Sequence, residues 1–269
     1  MTKISGRSFL AMLLILLVSA PQLSRADQQL LINGGFENGL QGWQVWNLPG
    51  SDPSGGFFLG NNLIDPNLTP NSPASPVSEL ATVGAKSGNY YAISDSLGPG
   101  THALLQPFTL PTYATSLNVG FDLFVNDWFG AGALNQFGPL NHNQLDANGQ
   151  IIPTQFARVD LLKAGADAFS TDPGDIVANF YLGVDPLTPA NPYSYYSYHI
   201  EGLTGGSFYE FRVAEADNQF TLNAGIDDVS ITTVAPEGDS LLLLAGGGLA
   251  FLATPLLRHR TRLHCRRTT

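Results

Sequence analysis

Apolar and polar residues alternate with a period of two along several parts of the chain. In the run 117–125 every second side chain is apolar, and polar or small residues fill positions 118, 120 and 122 between them. The same alternation occurs in the runs 157–161, 209–213 and 229–232. Because a strand turns successive side chains to opposite faces, each run predicts a strand with one buried face.

The run 176–184 differs, because it is apolar at odd and at even positions. This pattern predicts a central strand that is buried on both faces. Glycine and proline are frequent between the runs, and no long segment has the spacing of an amphipathic helix. The sequence therefore predicts an all-β domain, an antiparallel β-sandwich.

Two further segments predict long loops. The segment 48–78 contains six prolines, and the segment 128–153 is rich in glycine, asparagine and glutamine. Proline removes a hydrogen-bond donor from a sheet, so the first segment is expected to run over the surface. Loops of this length in a compact domain are usually either functional or partly disordered, and the sequence leaves both open.

The first 26 residues have the layout of a secretory signal peptide. Lys3 and Arg7 precede the apolar run 9–18, and residues 24–26 (Ser-Arg-Ala) offer a cleavage site with small residues. The apolar run is short for an uncleaved membrane anchor, which is the alternative. We therefore expect 1–26 to be removed on export and the folded domain to occupy 27–234.

Residues 235–269 predict a membrane-spanning segment. An acidic turn is followed by the uncharged run 240–257 and then by a tail with five arginines. A run of this length is at the short end of the roughly 17–25 residues that cross a bilayer as a helix. Arginines that flank a membrane helix stay in the cytoplasm, so the preceding domain is expected outside.

This order of a short motif at Pro236-Glu237, a helix and an arginine cluster resembles the PEP-CTERM sorting signal of Gram-negative, biofilm-forming bacteria. The resemblance implies a partner, the membrane protease exosortase, that cuts at the motif and releases or re-anchors the protein. The chain would then be membrane-anchored during sorting and afterwards lie at the cell surface or outside the cell. The family usually has Pro-Glu-Pro, whereas this chain has Gly238 at the third position. The alternative is an ordinary C-terminal anchor.

The charge of the predicted domain excludes one class of partner. Between residues 27 and 235 there are four basic residues against 20 acidic ones, a formal charge of −16. Nucleic acids bind through Lys and Arg, so nucleic-acid binding is excluded. The single cysteine, Cys265, lies in the basic tail, which leaves the domain without a disulfide or a cysteine nucleophile. The histidines of the domain have no metal-binding spacing.

A second resemblance covers most of 30–233 and rests on motifs at its two ends. The motif 31–37 (Leu-Ile-Asn-Gly-Gly-Phe-Glu), followed by Gly42-Trp43, and the motif 226–231 (Ile-Asp-Asp-Val-Ser-Ile) look like those of jelly-roll carbohydrate-binding modules and galactose-binding-like domains. The resemblance implies a jelly-roll β-sandwich in which Trp43 belongs to the core.

The same resemblance implies a structural calcium ion. In the related modules it is held by the side chain matching Glu37, a backbone oxygen matching Gly35 and an aspartate near Asp227. Parity within the last strand places Asp227 on the inward face with Val229. A buried carboxylate must be paired, protonated or bound to a cation, and calcium prefers such oxygen ligands. The alternative is that Asp227 only accepts hydrogen bonds from backbone donors.

Aromatic side chains are the expected contacts for a sugar, because their rings pack on its apolar face while a polar tip stays wet. The candidate ligand-binding residues are Trp46, Trp128, Tyr193, Tyr195 and Tyr196. Packing in the core or on the surface is the alternative for each of them. Tyr198 belongs to the same tyrosine cluster and has the same two interpretations.

These features favour an exported, non-catalytic domain that binds polysaccharide of a biofilm matrix. The alternative is a structural matrix protein without a specific sugar site. A glycoside-cleaving enzyme is less favoured, because a pair of carboxylates can always be chosen among 20 acidic residues. No Gly-x-Ser-x-Gly motif of a serine hydrolase occurs either.

Overall fold

The computed structural model describes residues 27–185 and 189–234. The predicted signal peptide 1–26 and the predicted sorting signal 235–269, with Pro236, Glu237 and the helix 240–257, lie outside the described residues. In the part that is described, no helix is long and apolar enough to cross a membrane.

The described residues form two five-stranded sheets and one short hairpin. Sheet I contains, in spatial order, β1 (Gln44–Asn47), β6 (Gly100–Thr109), β11 (Phe208–Asp217), β8 (Gln155–Lys163) and β9 (Ile176–Gly183). Sheet II contains, in spatial order, β10 (Ser194–Ile200), β7 (Leu117–Asp127), β12 (Leu222–Thr233), β5 (Tyr90–Asp95) and β2 (Gly56–Asn61). The hairpin pairs β3 (Ile64–Asp65) with β4 (Ser72–Pro73). All paired strands are antiparallel, which confirms the predicted all-β sandwich.

The alternating runs of the sequence form the core between the two sheets. The five alternating apolar side chains of β7, at positions 117, 119, 121, 123 and 125, are all buried in this core. The ring of Phe121 lies 5.9 Å from that of Phe211 in the opposite sheet, and Phe211 lies 6.2 Å from Trp43. Trp43 is thus a core residue, as predicted. A unit with its own continuous core of this kind can fold alone.

The prediction of a central strand at 176–184 is wrong, because β9 is the edge strand of sheet I. Both of its faces are apolar for another reason. Phe180 packs into the core between the sheets, whereas Ile176 and Leu182 pack under the loop 164–175, which covers the outer face of sheet I. An apolar face shows that something covers that side of a strand. It does not show whether the strand has one neighbour in the sheet or two.

The prediction of one loop over 48–78 is also wrong in part. Its residues 56–61 form β2, whose Phe57 is buried in the core, and its prolines flank this strand without interrupting it. The segment 128–153 does form a loop, which is ordered by two short bridges, Leu134 with Gln155 and Leu145 with Ile151. It covers part of the outer face of sheet I with the buried Leu140.

The two ends of the domain are hydrogen-bonded to each other. The N–H of Leu30 donates to the carbonyl of Ile231 at 2.8 Å, and the N–H of Val229 donates to the carbonyl of Gly34 at 3.0 Å. The register of β12 against β7 shifts between Asp227 and Ser230, where Asp228 has a positive φ of 51°. This bulge brings the motif 31–37 against the motif 226–231.

Candidate functional site

An open polar surface lies on the outer face of sheet II, beside its edge strand β10. The strand register aligns three rows of outward positions across β10, β7 and β12, with Ser197, Gly120 and Ser230 in the middle row. We call this surface the Gly120 face. Its members are Tyr195, Ser197, His199, Asn118, Gly120, Asp122, Ser230 and Thr232.

Gly120 is the floor of this surface. A Cβ atom at this position would lie 2.9 Å from the hydroxyl of Tyr195 and 3.0 Å from the hydroxyl of Ser230. The hydroxyl end of Tyr195 therefore reaches over the glycine, while 65% of the Tyr195 residue remains exposed. The result is an aromatic ring that is held against a flat part of the sheet and open to solvent.

Charged and amide groups surround this ring. The Asp122 carboxylate is almost fully buried, and its Oδ1 lies 3.2 Å from the Lys86 ammonium but receives no hydrogen bond. At the other end of the face, His199 Nδ1 donates to Asn118 Oδ1 at 2.7 Å. The face thus offers an apolar ring together with an ammonium, an amide and several hydroxyls, beside the almost fully buried carboxylate of Asp122. These are the groups that contact the apolar face and the hydroxyls of a sugar.

Three other predicted ligand-binding residues have packing roles. Tyr196 points inward and stacks on Phe121 with ring centroids 5.2 Å apart. The Tyr193 hydroxyl donates to the carbonyl of Gly84 at 2.9 Å. Trp128 is half-buried, and its indole N–H donates to Asn223 at 3.0 Å. Tyr198, which is half-buried, likewise donates its hydroxyl to a backbone carbonyl, that of Phe180.

Trp46 is the remaining candidate and lies on β1, the edge strand of sheet I. It is 49% exposed, and its indole N–H makes a long contact of 3.4 Å with Gln44 Oε1. The strand register gives it no place among the three rows of the Gly120 face. Of the five predicted aromatic residues, the structure therefore brings only Tyr195 to that face.

The residues predicted to hold calcium gather around the segment 86–90. Glu37 Oε1 accepts hydrogen bonds from the N–H groups of Asn89 and Tyr90 at 2.8 and 2.9 Å. Asp227 Oδ2 accepts from the N–H groups of Lys86 and Ser87 at 2.9 and 3.1 Å. We call this arrangement, in which Glu37 and Asp227 hold the segment 86–90, the carboxylate clamp.

Gly35 lies against the same corner. A Cβ atom there would be 3.7 Å from Asp228 Oδ1 and 4.0 Å from Asp227 Oδ1. The corner thus gathers carboxylate oxygens of the hard type that calcium prefers, so the donor chemistry fits this ion. Among the described residues, no three His, Cys, Asp or Glu side chains are grouped so as to hold a metal. Backbone oxygens, such as that of Gly35, would have to complete the set.

The predicted inward direction of Asp227 is wrong. Asp227 pairs with Asp122 on the outer face of sheet II, because the bulge that follows reverses the parity before Val229. It is buried nevertheless, since the segment 86–90 covers it. Burial raises the pKa of the Asp227 carboxyl to about 6, against the opposing effect of the N–H groups that it accepts. The N–H groups of Asn89 and Tyr90 lower the pKa of the exposed Glu37 carboxyl.

The sequence analysis missed a cluster of buried polar residues inside one end of the sandwich. Glu215 and Asp217 continue the inward positions of β11, beside His102 on β6 and Gln155 on β8. The inward positions 209, 211 and 213 continue at every second residue to 215 and 217. Continuing the alternation along β11 would therefore have predicted that both carboxylates point inward.

His102 and Glu215 lie side by side in this buried cluster. His102 Nε2 lies 3.8 Å from Glu215 Oε1, and Nδ1 donates to Asn47 Oδ1 at 2.9 Å. Burial lowers the pKa of His102 to about 4 and raises the pKa of Glu215 well above its usual value. Burial thus disfavours the charged form of both the imidazole and the carboxyl, so ion pairing contributes little to this contact. A Cβ atom at Gly55 or at Gly100 would collide with the His102 ring, which is thus enclosed.

Comparisons with known proteins find no family for this chain. No protein-family model matches it, and no curated protein matches it. Among solved structures, TmCBM61 in complex with beta-1,4-galactotriose is 13% identical, with 77% of this chain and 99% of that chain covered and a TM-score of 0.43. The CBM22-2 xylan-binding domain from Paenibacillus barcinonensis Xyn10C is 14% identical, with coverage of 75% and 98% and a TM-score of 0.39. The Stig cyclase Fisc from Fischerella sp. TAU is 14% identical, with coverage of 79% and 100% and a TM-score of 0.42. These neighbours include binding modules and an enzyme, and similarity at this level carries no conclusion about ligand or activity.

Proposed function

We propose that the domain 27–234 binds polysaccharide through the Gly120 face. The observation that carries this proposal is the exposed ring of Tyr195, which is held over Gly120 and surrounded by polar groups. An aromatic ring on a flat sheet face provides the apolar contact for a pyranose. The surrounding hydroxyl, amide and carboxylate groups provide the hydrogen bonds that orient it.

The electrostatics favour an uncharged polysaccharide. The domain has a formal charge of −16, so its field repels polyanions. This charge already includes the four basic side chains, three of which contact carboxylates. Arg158 and Arg212 contact Asp160, Lys86 contacts Asp122, and Lys163 donates to the carbonyl of Gly174. A neutral sugar chain avoids this repulsion.

We propose a binding role without catalysis for the same face. Hydrolysis of a glycosidic bond uses two carboxyl groups on either side of the bond. The Gly120 face presents Asp122, while the neighbouring Asp227 is covered by the segment 86–90 and holds its N–H groups. One carboxylate beside an aromatic ring suits recognition of a sugar better than its cleavage.

We also propose that the domain acts outside the cell, after removal of 1–26 and exosortase cutting near Pro236-Glu237. The support is the layout of both terminal segments in the sequence. Mass spectrometry of the protein recovered from its native host tests this. The expected product begins at Asp27 and ends near residue 237. A mature product that still carries 240–257 would contradict cutting and indicate an ordinary membrane anchor.

A glycan array and a pull-down with the host's own exopolysaccharide test the binding proposal, using the domain 27–234. We expect saturable binding to at least one neutral polysaccharide and no release of reducing sugars. Binding to no glycan, together with loss of matrix cohesion on deletion of the protein, would contradict the proposal and indicate a structural matrix role. Release of reducing sugars would instead indicate an enzyme.

A further inference from the structure

The strand β10 is a free sheet edge. It pairs with β7 over all seven of its residues, Ser194–Ile200, in one uninterrupted register. Within the residues that the structure describes, no strand lies on its other side. An edge strand presents unpaired N–H and C=O groups, which a strand from another molecule can pair with. Natural proteins usually block such edges with charge, proline or a bulge, and β10 has none of these.

The neighbouring edge, β9 of sheet I, is blocked. Its register against β8 shifts twice, and the Asn179 side chain donates to the carbonyls of Val159 and Tyr181 at 3.3 and 2.9 Å. The carbonyl of Phe180 is taken by the hydroxyl of Tyr198. On this side of the sandwich, β10 is therefore the edge that remains able to pair.

The sequence of β10 is complementary to itself in an antiparallel pair. With a two-fold axis at Ser197, Tyr196 would lie opposite Tyr198, and Tyr195 opposite His199. Aromatic side chains at directly opposite positions stabilise the pairing of two antiparallel strands. Two copies of a domain with charge −16 repel each other, so they approach best where neither presents a charged side chain. The segment 194–200 contains no Asp, Glu, Lys or Arg.

We propose that two copies of this chain pair edge to edge through β10, antiparallel about Ser197. The pairing joins the two copies of sheet II into one sheet whose outer faces lie on the same side. Two β7 strands are then three strand spacings apart, about 14 Å. The two Gly120 faces form one longer surface. That last consequence rests on the proposed sugar binding, and the pairing itself does not.

Sedimentation equilibrium of the domain 27–234 at increasing protein and salt concentration tests the pairing. We expect a monomer–dimer equilibrium that becomes tighter as salt is added, because salt screens the repulsion between the two acidic copies. A domain that stays monomeric at every concentration, or a dimer that weakens with salt, would overturn the proposal.

Two substitutions of opposite charge at one position distinguish an effect on strand pairing from an effect on the net charge of the domain. Ser197→Asp and Ser197→Lys each place like charges opposite each other across the axis, so both should weaken dimerisation at least tenfold. Thr115→Asp, an exposed position outside β10, is the matched control and should dimerise like the wild type. Circular dichroism confirms that each variant is folded. A Ser197→Lys variant that dimerises as well as the wild type would contradict pairing through β10.

The proposed dimer and the proposed sugar site can be disproved independently of each other. A domain that binds a glycan but stays monomeric disproves the pairing and leaves the proposed function intact. A domain that dimerises through β10 but binds no glycan supports the pairing and disproves the proposed function.

Discussion

Gly34 and Gly120 are two of the glycines at which another part of the chain comes too close for a side chain. At Gly120 the close groups are the hydroxyls of Tyr195 and Ser230, on the open face of sheet II. At Gly34 the close group is backbone, because a Cβ atom there would lie 1.9 Å from the carbonyl oxygen of Val229. A hydroxyl can move aside, whereas the backbone of β12 is held in the sheet. The glycine in the motif 31–37 thus lets the two ends of the domain meet.

Gly34→Ala should destabilise the domain, because the clash separates the N-terminal segment from β12. Overpacking in a well-packed region costs roughly 1–3 kcal/mol, and we expect the upper end of this range. Gly35→Ala is the matched control, since its nearest atom, Asp228 Oδ1, would be at an ordinary distance of 3.7 Å. Urea unfolding of both variants measures the difference. Equal free energies of unfolding would show that the approach of Gly34 to Val229 is unimportant.

Among the structural elements, the segment 86–90 depends on the carboxylate clamp for its position. Its backbone N–H groups donate to Glu37, about fifty residues before it in the sequence, and to Asp227, more than a hundred residues after it. The segment in turn carries Lys86 to the rim of the Gly120 face, where it contacts Asp122. The clamp therefore joins the two chain ends to the candidate sugar site.

Calcium at this corner is a prediction that a melting experiment decides. If Glu37, Asp227 and the backbone of Gly35 hold calcium, the ion stabilises the folded state by mass action, by about 2.7 kcal/mol at a hundredfold excess over Kd. The melting temperature should then fall by several degrees when a chelator is added.

The variant Asp227→Ala should melt at the same temperature with and without chelator. The control Asp146→Ala, in an exposed turn, should keep the calcium dependence. An identical melting curve of the wild type with and without chelator would contradict the calcium prediction. The carboxylates would then serve only as acceptors for the backbone N–H groups.

For the whole molecule, buried carboxyl groups make stability depend on pH. Burial raises the pKa of Asp217 to about 7 and of Asp227 to about 6, and it also raises those of Glu215 and Asp185. Between the pKa of an unfolded carboxyl and these values, the folded state binds more protons than the unfolded state. The contribution of each group is therefore present at low pH and is lost as pH rises through its folded pKa.

The free energy of unfolding should consequently fall between about pH 5 and about pH 8. The lowered pKa values of His102 and His142 act in the opposite direction below about pH 6.5, so the fall should be clearest around pH 7, where Asp217 titrates. The variant Asp217→Asn lacks one titrating group and should show a shallower fall. Denaturant unfolding across this range measures both slopes. A wild-type stability that rises with pH would contradict this account.

Local patterns in the sequence predict the sandwich well, because alternation directly reports which face of a strand is buried. The edge position of β9 cannot be read in this way, since Phe180 and Leu182 are covered on opposite faces by different parts of the chain. The direction of the Asp227 side chain could not be predicted for another reason. A single bulge reverses the alternation of faces in β12, and the pattern of apolar and polar residues does not reveal a bulge. The Gly120 face can be identified only when the register of β10, β7 and β12 is known. The sequence analysis therefore predicted only one of its members, Tyr195, as a ligand-binding residue.

The affinity of the Tyr195→Ala variant for the best glycan ligand, measured by isothermal titration calorimetry, tests the central claim most directly. The ring over Gly120 provides the apolar contact, so its removal should weaken binding at least tenfold, which is about 1.4 kcal/mol. Tyr195→Phe keeps the ring and should retain most of the affinity. Trp46→Ala removes another exposed aromatic side chain, from sheet I, and should bind like the wild type. Unchanged affinity in Tyr195→Ala, or loss of binding in Trp46→Ala instead, would contradict a sugar site on the Gly120 face.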